Sequence, residues 1–241
     1  MGERFNTLHP KGLRQGHALA PRLLKDALQA DEQSTSTQHM SGDSTVNAAT
    51  WRAELPTLTG RTILLREPAS NDLGALVDLL SMRDSTHFGI DEPVSDVAVR
   101  DLIERTARER ANGLSFAYVV TLASARTVVG LVQVRQLDPM FEAAEWECTI
   151  APSARGSGLF LEMARLVGSF VFGTIGTHRL EARVLLQNGR ANGALRKLGA
   201  VQEGVLRRAV RRRGEYLDQV LWSLLREDWG DHWVSTAPRV H

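Results

Sequence analysis

The stretch Ala143–Phe160, AAEWECTIAPSARGSGLF, is the part of the chain from which the rest is read. From Glu145 to Ile150 it alternates: Trp146, Cys148 and Ile150 fall on one side, Glu145, Glu147 and Thr149 on the other, the period of two of a strand. Pro152 ends that strand. In Ser153-Ala154-Arg155-Gly156-Ser157-Gly158, two glycines two apart let backbone N–H groups approach an anion with no side chain in the way. Leu159, Met163, Leu166, Val167, Phe170 and Val171 then recur at helical spacing, which predicts a helix broken at Gly173 and Gly176. Its orphan N–H groups and positive dipole end point at the loop and suit a phosphate or pyrophosphate. A tight strand-to-helix turn without any ligand is the competing reading.

Neither common phosphate loop fits. The segment lacks the third glycine of a dinucleotide fingerprint and the Gly-Lys-Ser/Thr ending of a nucleoside triphosphate loop. It resembles instead the acyl-CoA signature of the GNAT superfamily of N-acyltransferases, Gln/Arg-x-x-Gly-x-Gly/Ala at the start of a helix. Gly156 and Gly158 match its glycines, while Ser153 departs from its Gln or Arg. Residues 178–225, HRLEARVLLQNGRANGALRKLGAVQEGVLRRAVRRRGEYLDQVLWSLL, are similar to the C-terminal half of the ribosomal-protein N-terminal alanine acetyltransferase (Rim) branch. The shared landmarks are Asn188, Lys197, Gly199 and Glu203-Gly204, and the resemblance covers residues 55 to 230.

The resemblance implies a fold of the mixed α/β class. In the GNAT fold a central, mixed, mostly antiparallel sheet of about seven strands has flanking helices, with a splayed parallel strand pair at the cofactor site. It also implies acetyl-CoA as co-substrate and no metal. The pantetheine would lie against Cys148 and Ile150 with Asn188 across from them, and the pyrophosphate on Arg155, Gly156, Ser157, Gly158 and Leu159. Glu145 aligns with the glutamate of the family's Glu-Ile-Gly-Tyr/Trp pattern on this strand, and Glu147 replaces the pattern's glycine. Two carboxylates on one face raise one of their pKa values, which suits a general base. Glu145 is the first candidate for that role, followed by Glu147 and His87; glutamates that are merely solvated or paired with arginine are the plain alternative.

The leaving thiolate also needs a proton. Leu195 stands where many members carry a tyrosine, and Ala191 where the ribosomal branch often has a serine, so Asn188, Asn192 or water is left for that role. Cys148 is disfavoured as an acyl-enzyme nucleophile, with no histidine adjacent in sequence. The function implied is an acetyl-CoA-dependent N-acetyltransferase that transfers an acetyl group to a primary amine, above all a protein N-terminal amine, by direct attack on the thioester. Acetylation of a small-molecule amine such as a polyamine or antibiotic stays open, as does a catalytically silent acyl-CoA-binding or interaction module.

Composition bounds these readings. With 43% hydrophobic residues in 241 the chain can bury a core, and 29 basic against 28 acidic residues give no global pull toward nucleic acid or an acidic membrane. No apolar run reaches the ~18 residues of a membrane span. A single cysteine forms neither an internal disulfide nor a zinc cluster and fits a reducing cytoplasm. Residues 1–50, with Ser34-Thr35-Ser36-Thr37 and few large apolar side chains, read as a flexible leader or partner-docking arm, or as upstream sequence before a working start at Met40. Pro21, Arg22, Lys25 and Asp26 interrupt any secretory signal. The acyltransferase domain is expected over 51–234, with a tail at 235–241.

Within that domain Arg61–Arg66 reads as a first strand, and Ser70, Asn71 and Asp72 as caps for a helix carrying Leu73, Leu76, Val77 and Leu80. The irregular stretch from His87 to Pro93 lies where GNAT folds border the acceptor. A helix over Val97–Ala111 ends at Asn112-Gly113. Strands are expected at Phe116–Leu122, Val128–Arg135 and His178–Leu185, and the strand-helix-strand crossover makes the last one parallel to the strand ending at Ile150. Asn188 caps a short helix stopped by Gly199, and Val201–Arg211 and Tyr216–Leu225 form a hairpin turning at Gly214. Arg207, Arg211 and Arg213 would line one face of that hairpin. A ribosomal RNA contact through Arg207–Arg213 stays open there, beside the plainer reading of a solvated edge that resists strand pairing. Homodimerisation is likewise open.

Overall fold

The computed structural model describes residues 50–82, 88, 90, 93–212 and 214–229. The leader apart from Thr50, His87 with Asp91 and Glu92, Arg213 and the tail lie outside the described residues. The elements are β1 (Leu58–Thr59), β2 (Ile63–Arg66), α1 (Leu73–Leu80), α2 (Asp96–Ala111), β3 (Ser115–Leu122), β4 (Val128–Gln136), β5 (Ala143–Ile150), α3 (Leu159–Ser169), β6 (Arg179–Leu185), α4 (Gly189–Lys197), β7 (Val201–Arg212) and β8 (Glu215–Leu225). They build one eight-stranded sheet in the order β1-β2-β3-β4-β5-β6-β8-β7. All pairings are antiparallel except β5 with β6, the mixed sheet expected of the crossover through α3.

The centre of the sheet, β3 and β4, is buried on both faces. On one, α3 covers an aromatic cluster in which Phe116 meets Phe170 edge-on at 5.4 Å and Trp51 at 5.6 Å. On the other, α1 and α2 pack through Leu76, Leu80, Val99 and Leu102 against Ala117, Val119 and Leu131. Strand alternation distributes β5 between them: Ala144 and Trp146 point into the α3 side, so Glu145, Glu147 and Thr149 face the α1–α2 side.

Four details differ from the sequence reading. The eighth strand is β1, whose two residues carry no readable alternation. The first long strand begins only at Ile63, because Glu162 of α3 takes the Thr62 N–H at 2.8 Å and its hydroxyl, fixing Arg61 and Thr62 in the turn after β1. Asp72 does not cap α1 with its side chain; its carboxylate grips the Arg66 guanidinium at 2.6 and 2.7 Å and the Ala69 N–H at 2.9 Å. Burial opposes ionisation of Asp72, but these bonds outweigh it and hold the carboxyl below its ordinary value. Finally, α3 is not broken at Gly173: a π-turn over Phe170–Ile175 carries it on to Gly176, whose φ of 92° provides the left-handed cap.

Candidate active site

The loop after β5 is a short 3-10 turn, Pro152–Ala154, followed by two left-handed glycines, Gly156 at φ 81° and Gly158 at φ 83°. Arg155 is anchored by its Nε to the Ile150 carbonyl at 3.0 Å, and the Ser157 hydroxyl donates to the Ala154 carbonyl at 2.8 Å. Gly158 is the N-cap of α3 and offers no side-chain cap, so the first N–H groups of the helix have no acceptor within it. A Cβ placed on either glycine would meet no atom within 4 Å. The surface over the loop is therefore open, and the backbone there can be approached closely by an anion.

Beside this loop the two parallel strands part. The β5–β6 ladder matches Ala143 with Arg179, Ala144 with Leu180 and Glu145 with Glu181, and then stops. Both strands continue in other company: β5 stays registered on β4 as far as Ile150, and β6 on β8 as far as Leu185. A cleft thus opens between residues 146–150 and 182–185 and leads to the glycine loop. Cys148 and Ile150 line its β5 wall and pack partly against the α3-side core. Burial, and after it the charge of Glu147, pushes the Cys148 thiol up to about 12, so it is protonated at neutral pH and unsuited to nucleophilic attack.

On the α1–α2 face the two glutamates have different surroundings. Glu145 is ion-paired with Arg135 of β4 and lies 3.5 Å from Arg183 of β6. Glu147 sits opposite Gln133, whose amide donates to the Ser115 hydroxyl at 3.3 Å; that hydroxyl in turn donates to Glu109 of α2 at 2.5 Å. Burial is the main influence on Glu147 and Glu145 the next, and together they push its carboxyl up to about 7 against the opposing charges of Arg135, Arg212 and Arg105.

The other wall of the cleft is organised by α4. Asn188 caps that helix, its side chain accepting from the Ala191 N–H at 3.1 Å. Asn192 is committed to structure: its amide nitrogen donates to the carbonyls of Asn188 at 2.9 Å and Leu185 at 3.0 Å, and its oxygen accepts from the Trp222 indole at 2.8 Å. It has no proton directed at a leaving group. Leu195 is buried in the core. A bulge between Leu206 and Val210, with Arg208 at φ 49°, interrupts β7 between the exposed Arg207 and Arg211.

The arginines around Glu145 and Glu147 escaped the sequence reading. Arg135 and Gln133 belong to the same face as the glutamates only through the register of the β4–β5 hairpin. That register is set by Asp138, which accepts from the N–H groups of Met140 at 2.9 Å and Ala143 at 2.5 Å. The Asp138-Pro139 pair was the available signal.

A parallel pair that opens beside a glycine-capped helix is the arrangement expected from the acyl-CoA signature, and the family model for the acetyltransferase (GNAT) domain matches residues 62–201. The chain belongs to the GNAT family of acetyltransferases. Among curated GNAT relatives, the uncharacterised N-acetyltransferase YoaA of Bacillus subtilis is 23% identical over 172 residues, covering 71% of this chain and 97% of that protein. A spermidine N(1)-acetyltransferase of Vibrio cholerae is 22% identical over 156 residues, covering 65% and 88%. The crystal structure of ribosomal-protein-S5-alanine acetyltransferase from Vibrio fischeri superposes with a TM-score of 0.62 at 19% identity, covering 72% of this chain and 98% of that one. That structural likeness speaks for the fold. This GNAT protein is accordingly an acyltransferase, an N-acetyltransferase by family. Its family's co-substrate is acetyl-CoA, and the open glycine cradle and the cleft have the form such a ligand needs. Among the described residues no helix is long and apolar enough to cross a membrane, and no group of side chains could hold a metal ion.

Proposed function

We propose that this protein acetylates the primary amine of a peptide N-terminus, with Glu147 as the general base and Glu145 as the charge that tunes it. The observation that carries the reading is the end of the β5–β6 ladder at Glu145 and Glu181, immediately before a carboxyl that titrates near neutrality. Acetyl-CoA supplies an acetyl thioester whose carbonyl carbon the amine attacks, forming the amide as the carbon–sulfur bond breaks. Gly156, Ser157, Gly158 and Leu159 would hold the pyrophosphate by backbone N–H groups, with Arg155 beside them. Cys148 and Ile150 would offer strand backbone to the pantetheine, and Asn188 its amide from the opposite wall. Glu147 takes a proton from the amine, a role for which a carboxyl near neutrality is matched. No hydroxyl stands at Leu195 or Ala191, so water protonates the thiolate. Glu145, the first candidate from sequence, is engaged by Arg135 and Arg183 and acts through Glu147. The lone cysteine supports a reducing, cytoplasmic setting.

Thiol release from acetyl-CoA in the presence of an alanine-initiated peptide tests the reading, with the acetylated N-terminus identified by mass spectrometry. Turnover with spermidine alone would move the acceptor to the polyamine class named for the Vibrio cholerae relative. Tight acetyl-CoA binding without thiol release on any amine would make the protein a silent module.

A further inference from the structure

Around Glu147 the charged side chains are paired, carboxylate with arginine. Four carboxylates on this side of the sheet, Glu145, Glu181, Glu203 and Glu109, are each already engaged. Glu145 is held by Arg135 and Arg183. Glu181 lies 2.9 Å from Arg179 and 3.6 Å from Arg183. Glu203 takes Arg179 through Nη1 at 2.7 Å and the Ser223 hydroxyl at 2.7 Å, which holds its carboxyl down at about 2. Glu109 accepts from Ser115 and lies 4.0 Å from Arg105. A polyamine, whose remaining ammonium groups need carboxylate partners, would have to compete with an arginine or a hydroxyl for each of these.

The cations are distributed otherwise. Arg135 pairs with Glu145 yet keeps 52% of its side chain exposed, and Arg105 keeps 35% while bonding the Phe88 carbonyl at 2.7 Å. A guanidinium has five donors, and one ion pair uses at most two of them. Arg135 stands diagonally across the β4–β5 ladder from Glu147, on the same face, a spacing of roughly 7 Å. Arg105 approaches from α2 and Arg212 from the end of β7, and the charges of all three reach Glu147. When Glu147 removes the proton from an acceptor amine, it does so within the field of these three arginines.

We propose that the preferred acceptor is an amine bearing a carboxylate within a few bonds, such as a peptide N-terminus followed by acidic residues; this rests on the acetyl-transfer reading above. The carboxylate would take the donors that Arg105 and Arg135 have left, and Arg212 would add long-range attraction.

The test uses the full chain with acetyl-CoA and five separate acceptors: the tripeptide amides Ala-Asp-Glu, Ala-Ser-Gln and Ala-Lys-Arg, free aspartate, and spermidine. The expected result is a kcat/KM for Ala-Asp-Glu at least 10-fold above Ala-Lys-Arg and spermidine, with the gap narrowing as salt is raised. Free aspartate performing as well as the acidic tripeptide would also support the proposal and assign the anion to a small amino acid. In the variants Arg105→Gln and Arg212→Gln the ratio of acidic to neutral peptide should fall toward one, through KM. Equal or better use of spermidine or Ala-Lys-Arg overturns this inference while leaving acetyl transfer intact. Thiol release with none of the five overturns both.

Discussion

Glu145 and Glu181 are the last matched residues of the parallel ladder between β5 and β6, and each of them lies within ion-pairing distance of Arg183. The point where the strands part is therefore pinned by charge. Beyond it β5 and β6 hold their outer partners, β4 and β8, and a cleft runs to the N-terminus of α3. Two consequences follow for the same short segment: it opens the cleft proposed for the cofactor, and it sets a carboxylate two residues from Glu147.

The glycine loop yields the first prediction. Gly158 has φ 83°, where a branched side chain costs about 1–2 kcal/mol, and the space above it is open. Gly158→Val should keep the far-ultraviolet circular dichroism of the parent and weaken acetyl-CoA by more than 10-fold in calorimetry, since the side chain stands over the N–H groups that would bind the anion. Affinity within twofold of the parent would remove the pyrophosphate from this loop.

Stability offers a prediction remote from the site. A Cβ on Gly168 of α3 would lie 2.3 Å from the Trp229 ring, which is itself packed on Phe172 at 5.5 Å. Gly168→Ala should therefore cost about 1–3 kcal/mol in urea unfolding, as overpacking does. In the background of Trp229→Ala, where the ring is gone, the same change should cost much less. Equal costs in both backgrounds would mean that the indole is not what limits the site.

Much of this architecture was legible in the residues, for identifiable reasons. Alternation made β5 readable because Trp146 enters the α3-side core while Glu145 and Glu147 face the other way. Gly156 and Gly158 were readable because positive φ restricts the choice of residue. The Glu162–Thr62 bond joins positions 100 residues apart, and nothing local announces it. The bulge at Arg208 could not be seen either, since arginine has no preference for that conformation. The ion pairs from Arg135 through Glu145, Arg183 and Glu181 to Arg179 span three strands, and only the register brings them together.

Glu147 makes a prediction about stability and pH. Its carboxyl is raised from 4.5 to about 7 in the folded protein, by burial first and by Glu145 second. Between those values the native state binds the extra proton, so this group's contribution to stability falls as pH rises from 4.5 to about 7 and stays lowered above. Glu147→Gln removes that loss. Its melting temperature should equal the parent's at about pH 4 and exceed it at about pH 8, in a scan of both proteins across the range. A variant less stable than the parent at about pH 8 would show that the carboxylate is supported by the arginines more than it is opposed by burial.

The rate profile separates the two glutamates. If Glu147 is the base, kcat/KM should rise with pH through a limb near 7, and Glu147→Gln should lose about 10²- to 10⁴-fold at neutral pH together with that limb. Glu145→Gln should behave differently. Its removal takes away a negative neighbour and leaves Arg135 and Arg183 without their shared partner, and both changes favour the ionised form of Glu147. The limb should then move toward acid and persist, with a smaller loss of rate, because a base of lower pKa abstracts the proton less readily. Acetyl-CoA affinity should be the same in both variants. Should Glu145→Gln instead abolish the limb with the larger loss while Glu147→Gln keeps it, the proton would belong to Glu145, and the ion pairs with Arg135 and Arg183 would have to open during turnover.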